Sequence, residues 1–445
     1  MVLGVLALLF QTVWVIDDNG GPGVNFTDLP PAVAAAADGD ILDVRAGEYT
    51  AFALSGKGLR ILGEDQATTF LRVPPTGPPS VGTTTVANVP AGSVVYLERV
   101  TFGTNLTGIS IGPQVLSVSG ATTRMVLRNV SINSPPFTVL SPSSVATGLT
   151  VSGAEVHLYE CTVRGASSCS CLFSGPVQGA PGVQVLNGAR VEIAFSTVLG
   201  GNGGASSSGM CLGCASAGGP GIAVGGVLSQ LWLVGSTVTG GGGATNIFGG
   251  GNAGGAGLSV DSSFARLSGN TTAVQGGAGG GNNGAGGVGV LSTGSAVVDL
   301  HSVTVLGGTN GGGGSAANTS GPGITLGLPS LPLLGVSGNL SIAGGSATIS
   351  LTEGPAAALF AIAFAGAPAY AGISGPFLGD AMIALTPPLV VVPGTLSGMG
   401  DFTLNVPLGG LPPGAAWTPL HLQGAALDAS VVWRLSNGAP AILRP

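Results

Sequence analysis

Lysine is almost missing from this chain: Lys57 stands alone among 445 residues, and charged residues of all kinds make up only 7%. A globular domain usually carries about a quarter charged residues, so no ordinary charged helical surface can be built here. The 12 basic and 19 acidic residues leave a net charge of −7, and no Lys/Arg cluster occurs anywhere. That removes the electrostatic footprint of a nucleic-acid binder. Aromatic residues are scarce as well, at 5%. Scattered as singletons, they supply no girdle for a membrane β-barrel. One uncharged run, "GPAAALFAIAFAGAPAYAGISGPFLG" between Glu353 and Asp380, has the length of a membrane span. Pro355, Pro368 and Pro376 interrupt it and its composition is Ala/Gly, so it reads as part of a folded domain and not as a span.

Glycine is what the chain has in excess, 82 residues of it. In the middle of the chain a glycine followed by an apolar-x-apolar triplet recurs: "GLTV" at Gly148, "GVQV" at Gly182, "GIAV" at Gly221, "GLSV" at Gly257, "GVGV" at Gly287 and "GITL" at Gly323. All but the last are followed by a second alternating segment, such as "EVHLYECTVRG" or "RVEIAFSTVLGG". Two-residue alternation puts Leu149/Val151, Val183/Val185, Ile222/Val224, Leu258/Val260 and Val288/Val290 on one inward face. Repeated short strands in equivalent positions pair only in parallel, and their apolar rows stack into a bore: a parallel β-helix. The Gly-rich runs at 240–257 and 276–287 are expected to be loops at one edge, with Gly supplying turns.

An exposed bore needs a cap. "FTDLPPAVAAAADGD" supplies one over residues 26–40, with Asp28 as N-cap, Pro30 and Pro31 in the first turn and Gly39 beyond the end. The cap with "DILDVRAGEY…LRILGE" and the "S-T-V-x-G-G" coils resembles the secreted right-handed parallel β-helix repeat proteins of the pectin-lyase fold, across about residues 12–328. That resemblance implies the fold, and a function drawn from lyases, hydrolases or adhesins. The expected class is therefore all-β. Residues 14–328 form the β-helix, 329–332 a linker, and 333–445 a small antiparallel β-sandwich of short strands between Gly/Pro turns. The last part is similar to a C-terminal module of exported planctomycete-type proteins. Residues 1–13 read as a shortened secretory signal lacking a basic n-region, or as a buried first strand. A secreted or cell-surface location is expected.

Chemistry is thin. Between residues 108 and 328 only Glu155, Glu160, Glu192, Asp261 and Asp299 are acidic, and no carboxylate pair emerges from the repeat. The repeat predicts one outward ladder of Glu155, Arg190, Gln230, Arg266 and Val297, and a second of His157, Glu192, Trp232, Ser268 and Asp299. Glu155 over Arg190 and His157 over Glu192 then read as exposed cross-strand ion pairs. The weak catalytic candidates are Asp299, His301 and Arg266, with Asp299 and His301 two apart and on one side of a strand. Trp232 is a candidate sugar-stacking platform, or lies under a loop. Cys169 and Cys171, with Cys211 and Cys214, fall at similar offsets in neighbouring coils and predict loop-to-loop disulfides, with a four-thiolate zinc site as the alternative. Cys161 aligns with Ser196 and Ser236 as a lone thiol. "GISIG" at 108–112 lacks the helix of a nucleophile elbow, and the GxGxxG-like runs lack a strand-to-helix context, so no cofactor is expected. The functional expectation is a non-catalytic surface or matrix element that binds or displays, toward carbohydrate or envelope material. A polysaccharide lyase or glycoside hydrolase is the rival, and a self-associating spacer the third reading.

Overall fold

The structure, a computed structural model, describes residues 11–72, 83–103, 114–134, 145–168, 178–204, 216–245, 250–328, 331–365, 368–371, 377–378, 381–383, 389–409 and 419–443. Three parallel sheets of eleven, nine and nine strands run up the solenoid, each coil contributing one strand to each sheet. The second alternating segment of the repeat divides in two. Glu155–Tyr159 enters the first sheet and Thr162–Arg164 the third, with Glu160 turning the corner at φ 55°. Arg99, Asn129 and Phe195 turn the same corner in other coils with φ of 49–54°. In these coils a single left-handed residue separates the two strands.

Among the described residues the bore is mostly apolar, with Thr84 and Ser292 as buried hydroxyls at inward positions. Leu149, Val151, Val183, Val185, Ile222, Val224, Leu258 and Val260 belong to one buried cluster with Val156, Leu158, Val163 and their equivalents. The cap helix spans Leu29–Ala35. Asp28 accepts from the Leu29 amide at 2.7 Å, and Leu29, Ala32 and Val33 close the end of the bore. The chain enters before the cap, because Val13–Ile16 pairs in parallel with Ile41–Val44.

Two expected registers are wrong by two residues. Leu258 pairs with Val290 and Val260 with Ser292, so the coil begins at Gly289 and Val288 is not an inward equivalent. Likewise Gln230 pairs with Phe264 and Trp232 with Arg266, which moves Arg266 into the ladder of Trp232, where Asp299 is already expected, and Ser268 out of it. A two-residue slip keeps every side chain on its expected face, so alternation cannot detect it. "GITL" is misplaced by a whole strand: Ile324–Leu328 extends the first sheet, while Thr319–Ser320 extends the second.

The Gly-rich runs do lie at one edge, between the third-sheet and second-sheet strands, but they are packed limbs and not turns. Gly200 and Gly203 donate to Thr239 and Gly242; Gly240 and Gly243 donate to Gln275 and Ala278; all four bonds are 2.8–2.9 Å. In between, Gly201 donates to Ala180 and Gly241 to Gly219, both at 2.8 Å. Donors three residues apart are the signature of polyproline-II chains, here satisfied by neighbouring limbs instead of water. A Cβ on Gly201 would stand 1.9 Å from the Ala166 oxygen, and one on Gly241 1.9 Å from the Gly201 oxygen. Neither glycine has a left-handed φ. Glycine is required by backbone approach, not by turn geometry.

After residue 331 the chain forms two antiparallel layers. Leu333–Asn339, Ser346–Thr352 and Phe402–Pro407 make one sheet. Leu359–Ala365, Leu389–Thr395, Pro419–Leu427 and Trp433–Ile442 form most of the other, with Phe377–Leu378 at its edge. Leu334, Val336, Ile349 and Leu351 of the first pack with Phe360, Ile362, Leu422 and Ala426 of the second, as in a sandwich. The uncharged run thus contains a sheet strand, and no helix among the described residues is long and apolar enough to cross a membrane. The sandwich docks on the outer face of the first solenoid sheet. Tyr159 and Ala194 join its core, and Ile442 packs with Ile41, Leu62, Tyr96 and Val126.

Candidate functional site

Docking overturns the expectation of an exposed ladder. His157 and Glu192 do pair, Nδ1 to Oε2 at 2.8 Å, but both are buried. The other Glu192 oxygen accepts from the Gly438 amide of the sandwich at 2.8 Å. His157 Nε2 meets Glu155 at 3.3 Å, so carboxylates flank both ring nitrogens. Burial pulls the ring's pKa down, but Glu155 and Glu192 outweigh it and lift it to about 9. Glu155 makes its arginine ion pair with Arg124, at 3.5 Å.

The residues named from sequence as catalytic do not assemble. Arg266 and Asp299 are neighbours across two strands, 3.7 Å apart and half-buried, and the guanidinium also lies over the Phe264 ring at 5.2 Å. His301 is only 2% exposed, at the end of its strand in the column of Tyr159, Ala194 and Ser268. Trp232 is 4% exposed and edge-on to Phe264 at 6.3 Å, so it offers no stacking face. Cys169, Cys171, Cys211, Cys214 and the "GISIG" segment lie outside the described residues. Cys161 is free and buried, in line with Ser196, whose hydroxyl accepts from its amide at 2.9 Å.

A different group of side chains does converge. Where the first sandwich strand leans over the solenoid, Glu98, Arg99, Arg128, Asn129, Glu160 and Asn339 line an open cleft of about 380 Å³. Register brings them together: Glu98 pairs with Arg128 and Arg128 with Tyr159, while Arg99, Asn129 and Glu160 are corner residues of successive coils. Arg128 stands between two carboxylates, 3.6 Å from Glu98 and 3.8 Å from Glu160, and donates to the Val336 carbonyl at 3.4 Å. Burial raises the Glu160 pKa, Arg128 lowers it, and Glu98 adds to the rise. Arg99 makes no ion pair among the described residues, and its Nε is buried without a hydrogen-bond partner. Sequence reasoning missed this group because the acids were counted from residue 108 onward. Aligning "YLERV", "VLRNV" and "HLYEC" one coil above another would have stacked Glu98 on Arg128 and Arg99 on Asn129 and Glu160.

With two acids, two guanidiniums and two amides, the cleft is near neutral and dense in planar hydrogen-bonding groups. No group of three or more metal-ligating side chains occurs among the described residues. No protein-family model matches the chain, and no curated protein matches it. Among solved structures, the catalytic domain of a GH87 alpha-1,3-glucanase in complex with tetrasaccharides is similar at 13% identity and TM-score 0.28, covering 64% of this chain and 63% of that one. The enzymatically active domain of tailspike protein 4 of bacteriophage CBA120 is similar at 12% identity and TM-score 0.30, covering 83% of this chain and 62% of that one. This chain thus spans less than two thirds of either. By its own strand pairing, the chain is a parallel β-solenoid carrying a C-terminal pair of antiparallel sheets.

Proposed function

We propose that the protein is a non-catalytic binding element of the cell exterior that seats a saccharide in the cleft between solenoid and sandwich. The observation that carries this reading is the position of Arg128 between Glu98 and Glu160. A hydrolase needs the space between its two carboxylates for the glycosidic oxygen or a water, and here a guanidinium fills it. The same planar groups suit vicinal hydroxyls, each of which both donates and accepts. Arg99 and Asn339 line the same cleft.

The rival, a glycoside hydrolase, draws on the same pair, since Glu160 has the raised pKa of a general acid. Mass spectrometry after incubation with a panel of plant and algal polysaccharides, with and without calcium, separates the two. Binding without product, weakened about tenfold or more by Arg99→Ala, is the expected result. Cleaved oligosaccharides would establish the rival. Binding indifferent to both Arg99→Ala and Asn339→Ala would remove the ligand from the cleft.

A further inference from the structure

The three histidines of the chain include two at the junction, and their surroundings are opposite. His157 of the solenoid lies between two carboxylates. His421, on the sandwich strand Pro419–Leu427, is 4% exposed and meets the Tyr96 hydroxyl of the solenoid. Among the described residues no carboxylate pairs with it. Burial and the nearby charge of His157 hold its pKa well below the usual value. Burial raises the Tyr96 pKa and the Arg60 charge works against that rise, leaving the hydroxyl neutral.

We propose that the junction is an acid-released contact, closed at neutral pH by Glu192 bridging His157 to the Gly438 amide and opened when His421 takes up a proton. His421 accepts a proton readily only when the sandwich lifts from the sheet and water reaches the ring. Its docked pKa is depressed, so its contribution to docking is complete above the free value of about 6.5 and is lost as pH falls, by about tenfold in the docking equilibrium per pH unit. Protonation would otherwise place two imidazolium rings in one buried interface, while Glu155 and Glu192 are already committed to His157. Three of the remaining cross-junction bonds do not oppose release as pH falls: Tyr159 Oη accepts from the Val336 amide at 2.9 Å, Arg128 donates to the Val336 carbonyl, and Ser268 Oγ accepts from the Leu331 amide at 3.1 Å. The Glu353 carboxylate accepts from the Asn270 amide at 2.8 and 3.0 Å; burial raises its pKa, so this contact favours the docked state as pH falls, and His421 must outweigh it. Opening would uncover Glu155, His157 and Glu192 together on the face of the first sheet, and would dismantle the cleft, one wall of which is sandwich.

Amide hydrogen exchange on the full chain between pH 8 and 4.5, normalised for intrinsic rates, tests this directly. The Val336 and Gly438 amides both donate across the junction. They are expected to lose protection below about pH 6.5, while the Leu258 amide inside the solenoid keeps its own and far-ultraviolet circular dichroism is unchanged. Small-angle scattering should show a matching, reversible rise in radius of gyration. His421→Gln keeps a partner for Tyr96 but cannot titrate, and should remain docked at pH 5. Unchanged protection of the wild-type amides at pH 5 would overturn the proposal, as would release of His421→Gln in step with wild type. Should the variant fail to fold, a histidine NMR titration of wild type decides: His421 titrating normally in a still-docked chain overturns it, and titration coincident with release supports it.

Discussion

Glu192 is fully buried, yet one carboxylate satisfies two modules, taking a hydrogen bond from His157 and one from Gly438. Removing one partner of a buried charged pair leaves the other desolvated and alone, which costs about 3–5 kcal/mol. Glu192→Ala should lose that much in urea denaturation, and Glu155→Ala less, because Glu155 keeps some contact with water. The pair also sets an alkaline limit. The His157 pKa is raised to about 9, so its stabilisation is complete below about 6.5 and disappears as pH rises through about 9. Thermal midpoints should fall between pH 8 and 10 in wild type, and much less in His157→Gln. Cys161 behaves oppositely to a reactive thiol: burial pushes its pKa up to about 12. Native protein should leave this thiol unmodified by iodoacetamide at pH 8, with labelling appearing in denaturant. The pairing of His157 with Glu192 was legible from the repeat. Its burial was not, because the covering amide lies 246 residues further along the chain.

Among the elements, the cap was readable almost residue by residue, since Asp28, Pro30, Pro31 and the alanines act locally. The strands were readable by face but not by register, for a physical reason: inward and outward identity depends on parity, and a shift of two preserves it. The left-handed corners that fix the register carry Arg, Asn, Glu and Phe, which share no side-chain chemistry to search for. The glycine limbs were misread as turns because composition reports glycine's freedom and not the crowding that demands it. The two can be separated by substitution. Gly241→Ala places a methyl on the Gly201 carbonyl and should cost at least about 3 kcal/mol. Gly398→Ala meets nothing within 4 Å and should be neutral, or stabilising by up to about 1 kcal/mol. Urea midpoints of the two single variants provide the comparison.

Across the whole molecule, the sandwich completes the solenoid. Ile41, Leu62, Tyr96 and Val126 point outward from the first sheet and are buried with Ile442. A chain ending at residue 328 would expose that patch, and it should bind a hydrophobic dye and aggregate while keeping its β-sheet spectrum. The sequence reveals two modules and their order. It does not reveal that the second lies along the first, and the cleft, which needs walls from both, was invisible for the same reason.

The glycine limbs have one more consequence, for how such a chain changes over generations. Each limb donates to the coil beside it and also to the limb running back in its own coil, so a lone residue gained or lost there would misalign donors with a three-residue period on two sides at once. Loss or gain of an entire coil leaves every surviving limb with a neighbour of the same kind. The heritable unit of length in this wall is therefore the full turn of the solenoid, copied or deleted with both its glycine limbs.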